Sequence, residues 1–235
     1  LEAAGFSVEK RPGYGRKREM LTARTGVREQ SSRRAPWFPA ARERPLPPGD
    51  SVVIVGGGVA GASLADAAAA AGLQAVIIDP MGLAAGASGN PAGLIMPRLD
   101  LGESPASRFF TAAYLSTLRT IARLERETGA HFFNACGVHV PSLTPDDDQW
   151  ADKIIAARLL PPDFIRRRDG DLFFPQGGVI DPPSFVRALA RPARVIEAKA
   201  VGLTRSDDGV RVRLDTGESI AAGAAIVANG ADALC

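Results

Sequence analysis

The sequence predicts an α/β fold built on a dinucleotide-binding strand–helix–strand unit, and three observations predict it. The stretch 51–79, SVVIVGGGVAGASLADAAAAAGLQAVIID, opens on a β-branched apolar run, passes through G-x-G-x-x-G, and ends a second apolar run on an acid. Between the two runs lies an alanine-rich segment of helical length that Gly72 closes at its C-terminal cap. Late in the chain, Ala224-Ala225-Ile226-Val227-Ala228 reads as a further buried strand. Asn229-Gly230 follows it, at the strand end where α/β sheets present their ligands.

Composition agrees with this class. Of 235 residues, 46% are hydrophobic and 23% charged, as in globular domains. No apolar run reaches the length of a membrane span. The first residues carry acids and lack the basic-then-apolar layout of a signal peptide. Cys136 and Cys235 make neither a disulfide framework nor a CxxC motif, and no His/Cys cluster has metal-ligand spacing. A reducing, cytoplasmic setting without a bound metal is the expectation. Charge is uneven: residues 1–50 hold 11 Lys/Arg against 6 Asp/Glu, and the remainder 17 against 20. Such a basic arm suits nucleic acid and suits a solvated linker equally well.

In chain order, residues 1–24 read as a hairpin, with Phe6-Ser7-Val8-Glu9 alternating, a turn at Pro12–Gly15, and a returning strand over Lys17–Ala23. A hairpin cannot bury a core alone, so residues 1–24 are expected to be the tail of an upstream domain, and the chain to be truncated at both ends. Lys17 and Arg18 either touch phosphate or guard an exposed edge. Residues 25–50 form an Arg/Pro/Ser-rich linker kept extended by Pro45, Pro47 and Pro48, with Trp37 and Phe38 expected to dock on a neighbouring domain. Residues 51–235 are the main domain.

Within the fingerprint, Gly56 permits the tight turn off the strand, Gly58 lets backbone approach a pyrophosphate, and Gly61 lets the helix pack closely on the strand. The first-turn N–H groups and the positive dipole end face the phosphates. Asp79, eighteen residues after Gly61, is placed to accept hydrogen bonds from a ribose. The plainer alternative is a glycine-rich turn with no ligand. Residues 80–97 are too glycine-rich for a regular element and too apolar for a surface loop. Their N–H groups are met by a packed turn or by a cofactor.

Ser104 and Pro105 cap a long helix that Gly129 ends, with Phe110, Tyr114, Thr117, Leu118, Ile121 and Leu124 on one packing stripe. Strand material spans Phe132–Pro141. Thr144 starts another helix, whose Asp146-Asp147-Asp148 run reads as capping in preference to a metal site. Leu172-Phe173-Phe174 is a strand turned by Gly177-Gly178, and Asp181 with Pro182 opens a helix to Ala190. Val201–Arg205, Val210–Leu214 and a third run after Asp215-Thr216-Gly217 form an antiparallel meander. His131 and His139 read as structural side chains or as bases.

Together, the 56–61 fingerprint, the acid at 79, the A-x-G-A-S-G-N-P-A-G-L loop (84–94), the meander and the A-I-V-A-N-G strand resemble the D-amino-acid-oxidase family of flavoenzymes. Within it, AAGASGNPAGLIMPRLD (84–100) is similar to the FAD-dependent half of the bifunctional enzymes of tRNA 5-methylaminomethyl-2-thiouridine biosynthesis. GFSVEKRPGYGRKREML (5–21) is similar to the last strands of their methyltransferase half. The resemblance implies a Rossmann-like FAD-binding domain with part of an antiparallel substrate domain. It implies FAD as cofactor, with Gly56, Gly58 and Gly61 on the pyrophosphate and Asp79, where many members have Glu, on the adenosine ribose. Ser88, Asn90 and Gly93 would line the path from pyrophosphate to flavin, and Gly230 would close over it. The implied reaction oxidises 5-carboxymethylaminomethyluridine at the tRNA wobble position to the aminomethyl form, releasing glyoxylate, before an upstream S-adenosylmethionine-dependent domain methylates the amine. No catalytic residue is assigned, because the family's substrate-holding groups are expected beyond Cys235. The alternatives are a nicotinamide-dependent dehydrogenase, which would continue βαβα after the second strand, or a vestigial nucleotide fold that binds tRNA or protein.

Overall fold

The computed structural model describes residues 6–12, 19–25, 45–99, 104–206 and 208–230. The chain divides into two units, Leu1–Pro45 and Leu46–Cys235. In the first, β1 (Phe6–Pro12) and β2 (Glu19–Thr25) pair antiparallel from Phe6↔Thr25 to Pro12↔Glu19. Exposed Lys10–Glu19 and Arg11–Glu9 ion pairs, both at 3.0 Å, add little to its stability. Lys17, Arg18, Trp37 and Phe38 lie outside the described residues.

At the centre of the second unit is a four-stranded parallel sheet in the order β11 (Arg194–Ile196), β4 (Gln74–Ile78), β3 (Ser51–Val55) and β15 (Ala224–Val227). Alternation along the strands sends side chains to two covered faces. Val52, Ile54, Ala75 and Ile77 pack under α1 (Val59–Ala70) and α4 (Pro182–Ala190). Val53 and Ile78 face an antiparallel meander of β12 (Ala200–Ser206), β13 (Gly209–Leu214) and β14 (Ser219–Ala222), meeting Val212, Leu214 and Ala222. Ile54, Ile77 and Ile78 are wholly buried, each stabilising the fold by about 2 kcal/mol. Ala62, Ala65 and Ala68 give α1 a smooth buried side that lets it lie close to the sheet.

Residues 79–193 leave this sheet and return to it through α4. Besides α4, they form two small antiparallel sheets and two further α-helices. One sheet has the order β5 (Gly93–Ile95), β10 (Gly178–Ile180), β6 (Phe133–Asn134). The other has the order β7 (Val138–Val140), β9 (Asp171–Phe174), β8 (Arg166–Arg168). Against them lie α2 (Pro105–Thr128) and α3 (Pro145–Ala156). This detour is not the βαβα continuation that a nicotinamide-dependent dehydrogenase requires.

The helix caps follow the sequence. Ser104 Oγ accepts the Ser107 N–H at 3.0 Å, and Gly129 ends α2 at φ 69°. Thr144 and Asp147 close a capping box on α3, and the Thr144 hydroxyl, the largest influence, holds the Asp147 carboxyl below its usual range. Asp148 pairs with Arg167, so this acidic run serves the helix start and its neighbour strand. Asp181 caps α4, its carboxyl held low chiefly by the Ser184 hydroxyl.

Three readings need correction. Residues 80–97 are not one irregular loop: Ala87–Gly89 form a 3-10 turn and Gly93–Ile95 a strand, while Gly82 and Ala84 are buried and Gly89–Ala92 exposed. On α2 the fully buried position near the N-terminus is Ser107, whereas Phe110 and Thr117 are half-buried. The sequence reading also lacked β8 and β11. β8 is three arginines and β11 an arginine with two apolar residues, and each takes its identity from pairing with a neighbour strand, not from a pattern of its own. Among the described residues, no helix is long and apolar enough to cross a membrane.

Candidate functional site

The carboxyl ends of β3, β4 and β15 converge on the start of α1, and contacts there dictate the glycines. Gly56 has φ 120°, and a Cβ on it would lie 2.5 Å from the Ala228 carbonyl oxygen and 2.8 Å from Asn229 N. Gly61 is tighter, since a Cβ would meet the Gly56 carbonyl oxygen at 1.9 Å. Both exclusions come from the protein's own backbone. Gly58 differs: among the described residues a Cβ there would meet, within 4 Å, nothing but the Ser88 side chain, with Oγ at 3.1 Å. The open side of Gly58 is where a ligand's backbone approach is possible.

Asp79 directly follows β4 and turns back toward β3. Its Oδ2 accepts the Gly57 N–H at 2.8 Å and its Oδ1 the Met81 N–H at 2.9 Å. It therefore ties the fingerprint loop to the segment after β4. A carboxylate offers about four acceptor positions, so two remain for a ligand. Ser88 reaches the same loop from the 3-10 turn, and its Oγ accepts the Val59 N–H at 2.9 Å. Helices α2, α3 and α4 each receive a side-chain cap from the residue before them, but Gly58 gives α1 none. The remaining first-turn N–H groups of α1 are thus left to a ligand or water.

Sequence reasoning missed three contributors. Gly57 is pinned: a Cβ there would sit 2.6 Å from the Gly82 carbonyl oxygen, and its own carbonyl accepts from Ala84 N at 2.9 Å. Three consecutive glycines were the available signal. Gly82 was hidden in the loop that follows β4. Asn229 stands beside Gly56 with a buried Oδ1 that has no hydrogen-bond partner among the described residues. Such an acceptor is costly unless a donor meets it.

The predicted residues divide in space. Gly56, Gly58, Gly61, Asp79 and Ser88 come together at the start of α1. Asn90 is exposed just beyond the 3-10 turn. Gly93 begins β5, where a Cβ would crowd Ile180 at 3.1 Å and Pro182 at 3.2 Å, so its strand neighbours leave little room for a side chain there. Gly230, at φ 64°, is exposed near the end of β15, and a Cβ on it would meet none of the described residues within 4 Å. Both histidines have structural neighbours: His131 Nδ1 lies 3.2 Å from Glu125 Oε1, and His139 Nδ1 lies 3.6 Å from Asp171 Oδ2. Among the described residues no His/Cys/Asp/Glu cluster has the makings of a metal site. An open glycine, an uncapped helix start and an orphaned acceptor together fit a diphosphate carrying hydroxyl-bearing sugars.

Residues 51–234 match the family model described as FAD dependent oxidoreductase (DAO). The chain is 36% identical over 225 residues to the tRNA 5-methylaminomethyl-2-thiouridine biosynthesis bifunctional protein MnmC of Chromobacterium violaceum, covering 88% of this chain and 33% of that protein. To the protein of the same name from Methylobacillus flagellatus it is 31% identical over 251 residues, covering 99% of this chain and 36% of that one. The chain spans about a third of the length of these curated relatives. Among solved structures, L-amino acid deaminase from Proteus myxofaciens superposes with a TM-score of 0.64 at 18% identity, covering 80% of this chain and 47% of that one. Glycine oxidase from Geobacillus kaustophilus gives 0.58 at 22%, covering 78% and 56%. At these identities the likeness is one of fold.

Proposed function

Because the chain belongs to the FAD dependent oxidoreductase family DAO, we propose that the start of α1 holds FAD and that the protein oxidises an amine on tRNA. Gly58 leaves room for the diphosphate, and the first-turn N–H groups with the positive end of α1 offset its charge. Gly56 and Gly61 hold the loop and helix in the posture this needs. Asp79 keeps lone pairs for the adenosine ribose while bracing Gly57 and Met81. Ser88, Asn90 and Gly93 lead from the diphosphate toward the ring, and Gly230 closes over it. The bound flavin would supply a two-electron acceptor; the chain's task is binding, orientation and exclusion of water.

The proposed substrate is 5-carboxymethylaminomethyl(-2-thio)uridine at the wobble position. Loss of two electrons and two protons across its C–N bond leaves an imine, which water opens to the 5-aminomethyl nucleoside and glyoxylate. In this reading residues 1–24 are the tail of an S-adenosylmethionine-dependent methyltransferase domain, 25–50 a linker, and 51–235 part of the oxidase domain of one bifunctional, cytoplasmic enzyme. Similarity to MnmC that runs through 99% of this chain is the observation that carries the step from flavoenzyme to tRNA.

The test is the visible spectrum of purified full-length protein. A bound-flavin spectrum is expected, lost in Gly58→Val, whose side chain fills the open side of the cradle, together with release of glyoxylate from tRNA bearing the carboxymethylaminomethyl group. Colourless protein that binds a nicotinamide nucleotide would sink the reading.

A further inference from the structure

We infer that the outer face of the β7–β9–β8 sheet, where Arg166 and Arg168 lie over Phe173, is a docking surface for RNA; the inference rests on the tRNA reading above. Strand β8 is Arg166-Arg167-Arg168, and alternation splits the run. Arg167 turns toward α3, where it pairs with Asp148 and lies 3.7 Å from Asp152. Arg166 and Arg168 go to the opposite face, with guanidinium carbons 5.4 and 4.8 Å from the centre of the Phe173 ring. From β7, His139 adds its imidazole, 4.6 Å from the same ring centre. Phe173 is left 6% exposed, so what solvent meets is the roof of cationic groups over it.

The acids nearby leave this roof partly uncompensated. Asp169 lies 3.5 Å from Arg168, with its side chain 84% exposed, and Asp171 lies 3.6 Å from His139 while accepting the Ser142 N–H at 3.3 Å. Arg166 has no carboxylate within ion-pairing distance among the described residues. A guanidinium laid over a ring keeps its second face for an unpaired base and its N–H edge for phosphate. The two arginines spring from backbone positions about 6.8 Å apart, two residues along one strand, which lets their side chains reach successive phosphates of one RNA strand. Holding both side chains in place beforehand lowers the entropy lost on binding. The sheet also lies in the inserted segment 79–193, outside the parallel sheet that carries the cofactor cradle. An RNA resting there contacts β7, β8 and β9, none of which carries a residue given a cofactor role.

The experiment measures binding of an unmodified tRNA transcript to the flavin-loaded full-length protein by fluorescence anisotropy across a salt series. Arg166→Ala/Arg168→Ala is expected to weaken binding about tenfold or more and to flatten the salt dependence by about one to two phosphate contacts, with the flavin spectrum and melting temperature unchanged. Arg166→Lys/Arg168→Lys should recover part of the affinity, because charge is kept and the flat guanidinium is lost. Arg211→Ala/Arg213→Ala, on the outward side of the meander, serves as a control for net charge and is expected to leave affinity within about twofold. Should the first variant lose its flavin, Arg166→Glu alone is read in its place. Wild-type affinity in Arg166→Ala/Arg168→Ala, an equal loss in the control, or equal competition by an acidic polypeptide overturns this inference and leaves the tRNA reading intact. A wild-type protein that does not bind tRNA overturns both.

Discussion

Two parts of the molecule leave buried polar atoms unpaired, and they mean different things. Beside the fingerprint loop, Asn229 Oδ1 is orphaned where Gly58 presents an open face and α1 begins without a cap. On α2, the Ser107, Thr111 and Tyr114 hydroxyls are orphaned too, at the i, i+4, i+7 spacing of a single stripe. There the helix start already carries its own cap from Ser104, and among the described glycines none clears a space beside these hydroxyls. The Tyr114 ring instead packs edge-on against Phe164 at 6.4 Å between centres. An unpaired acceptor next to cleared backbone points to a ligand, whereas one inside a packed stripe is a cost the fold bears.

The largest effect that could break this contrast lies in the glycines. Gly61→Ala is expected to destabilise the protein by about 3 kcal/mol or to prevent folding, because the new methyl meets a backbone oxygen that cannot move away. Gly58→Ala should shift the cofactor-free protein by less than about 1 kcal/mol, since the neighbour it meets is the movable Ser88 hydroxyl, and should still weaken flavin retention. Equal losses in a denaturant titration of the two variants would erase the distinction between a glycine demanded by the fold and one demanded by a ligand.

Asp79→Asn comes next. It leaves one of the two N–H groups on Gly57 and Met81 without a carboxylate acceptor, for an expected loss of about 1–3 kcal/mol before any cofactor is added. A variant as stable as wild type without flavin would mean that the acid serves the ligand alone.

The smallest effect sharpens the other side. Tyr114→Phe should change stability by less than about 1 kcal/mol near neutral pH, because it deletes a hydroxyl with no partner. Burial pushes the Tyr114 phenol up to about 12 from its ordinary 10. The folded state therefore holds this proton more tightly than the unfolded chain does. Stability from this group is intact below about pH 10 and falls as pH rises toward about 12, a decline that Tyr114→Phe should flatten in pH-dependent melts. A clear loss near pH 7 would instead reveal an ordered water bridging the stripe.

What the sequence disclosed follows from where the constraint is local. The 56–61 fingerprint and the caps at Ser104, Thr144 and Asp181 are legible because a turn or helix start demands particular residue types at adjacent positions. Strands β8 and β11 were not, because three residues carry no period and their partners are distant in sequence. On α2 two neighbouring stripes share Tyr114, Leu118 and Ile121. Whether Phe110 or Ser107 joins them is settled by the phase at which the helix meets its surroundings, which no local pattern encodes. The brace from Asp79 was equally invisible, since it depends on the loop after β4 folding back over β3.

The parallel sheet is stitched from segments 51–55, 74–78, 194–196 and 224–227, with two antiparallel sheets threaded between its second and third pieces and the meander between its third and fourth. A nascent polypeptide leaving the ribosome therefore cannot finish the nucleotide platform until well over a hundred further residues have emerged. Early fragments would wait with a two-strand scaffold and one helix, exposed to chaperones and proteases.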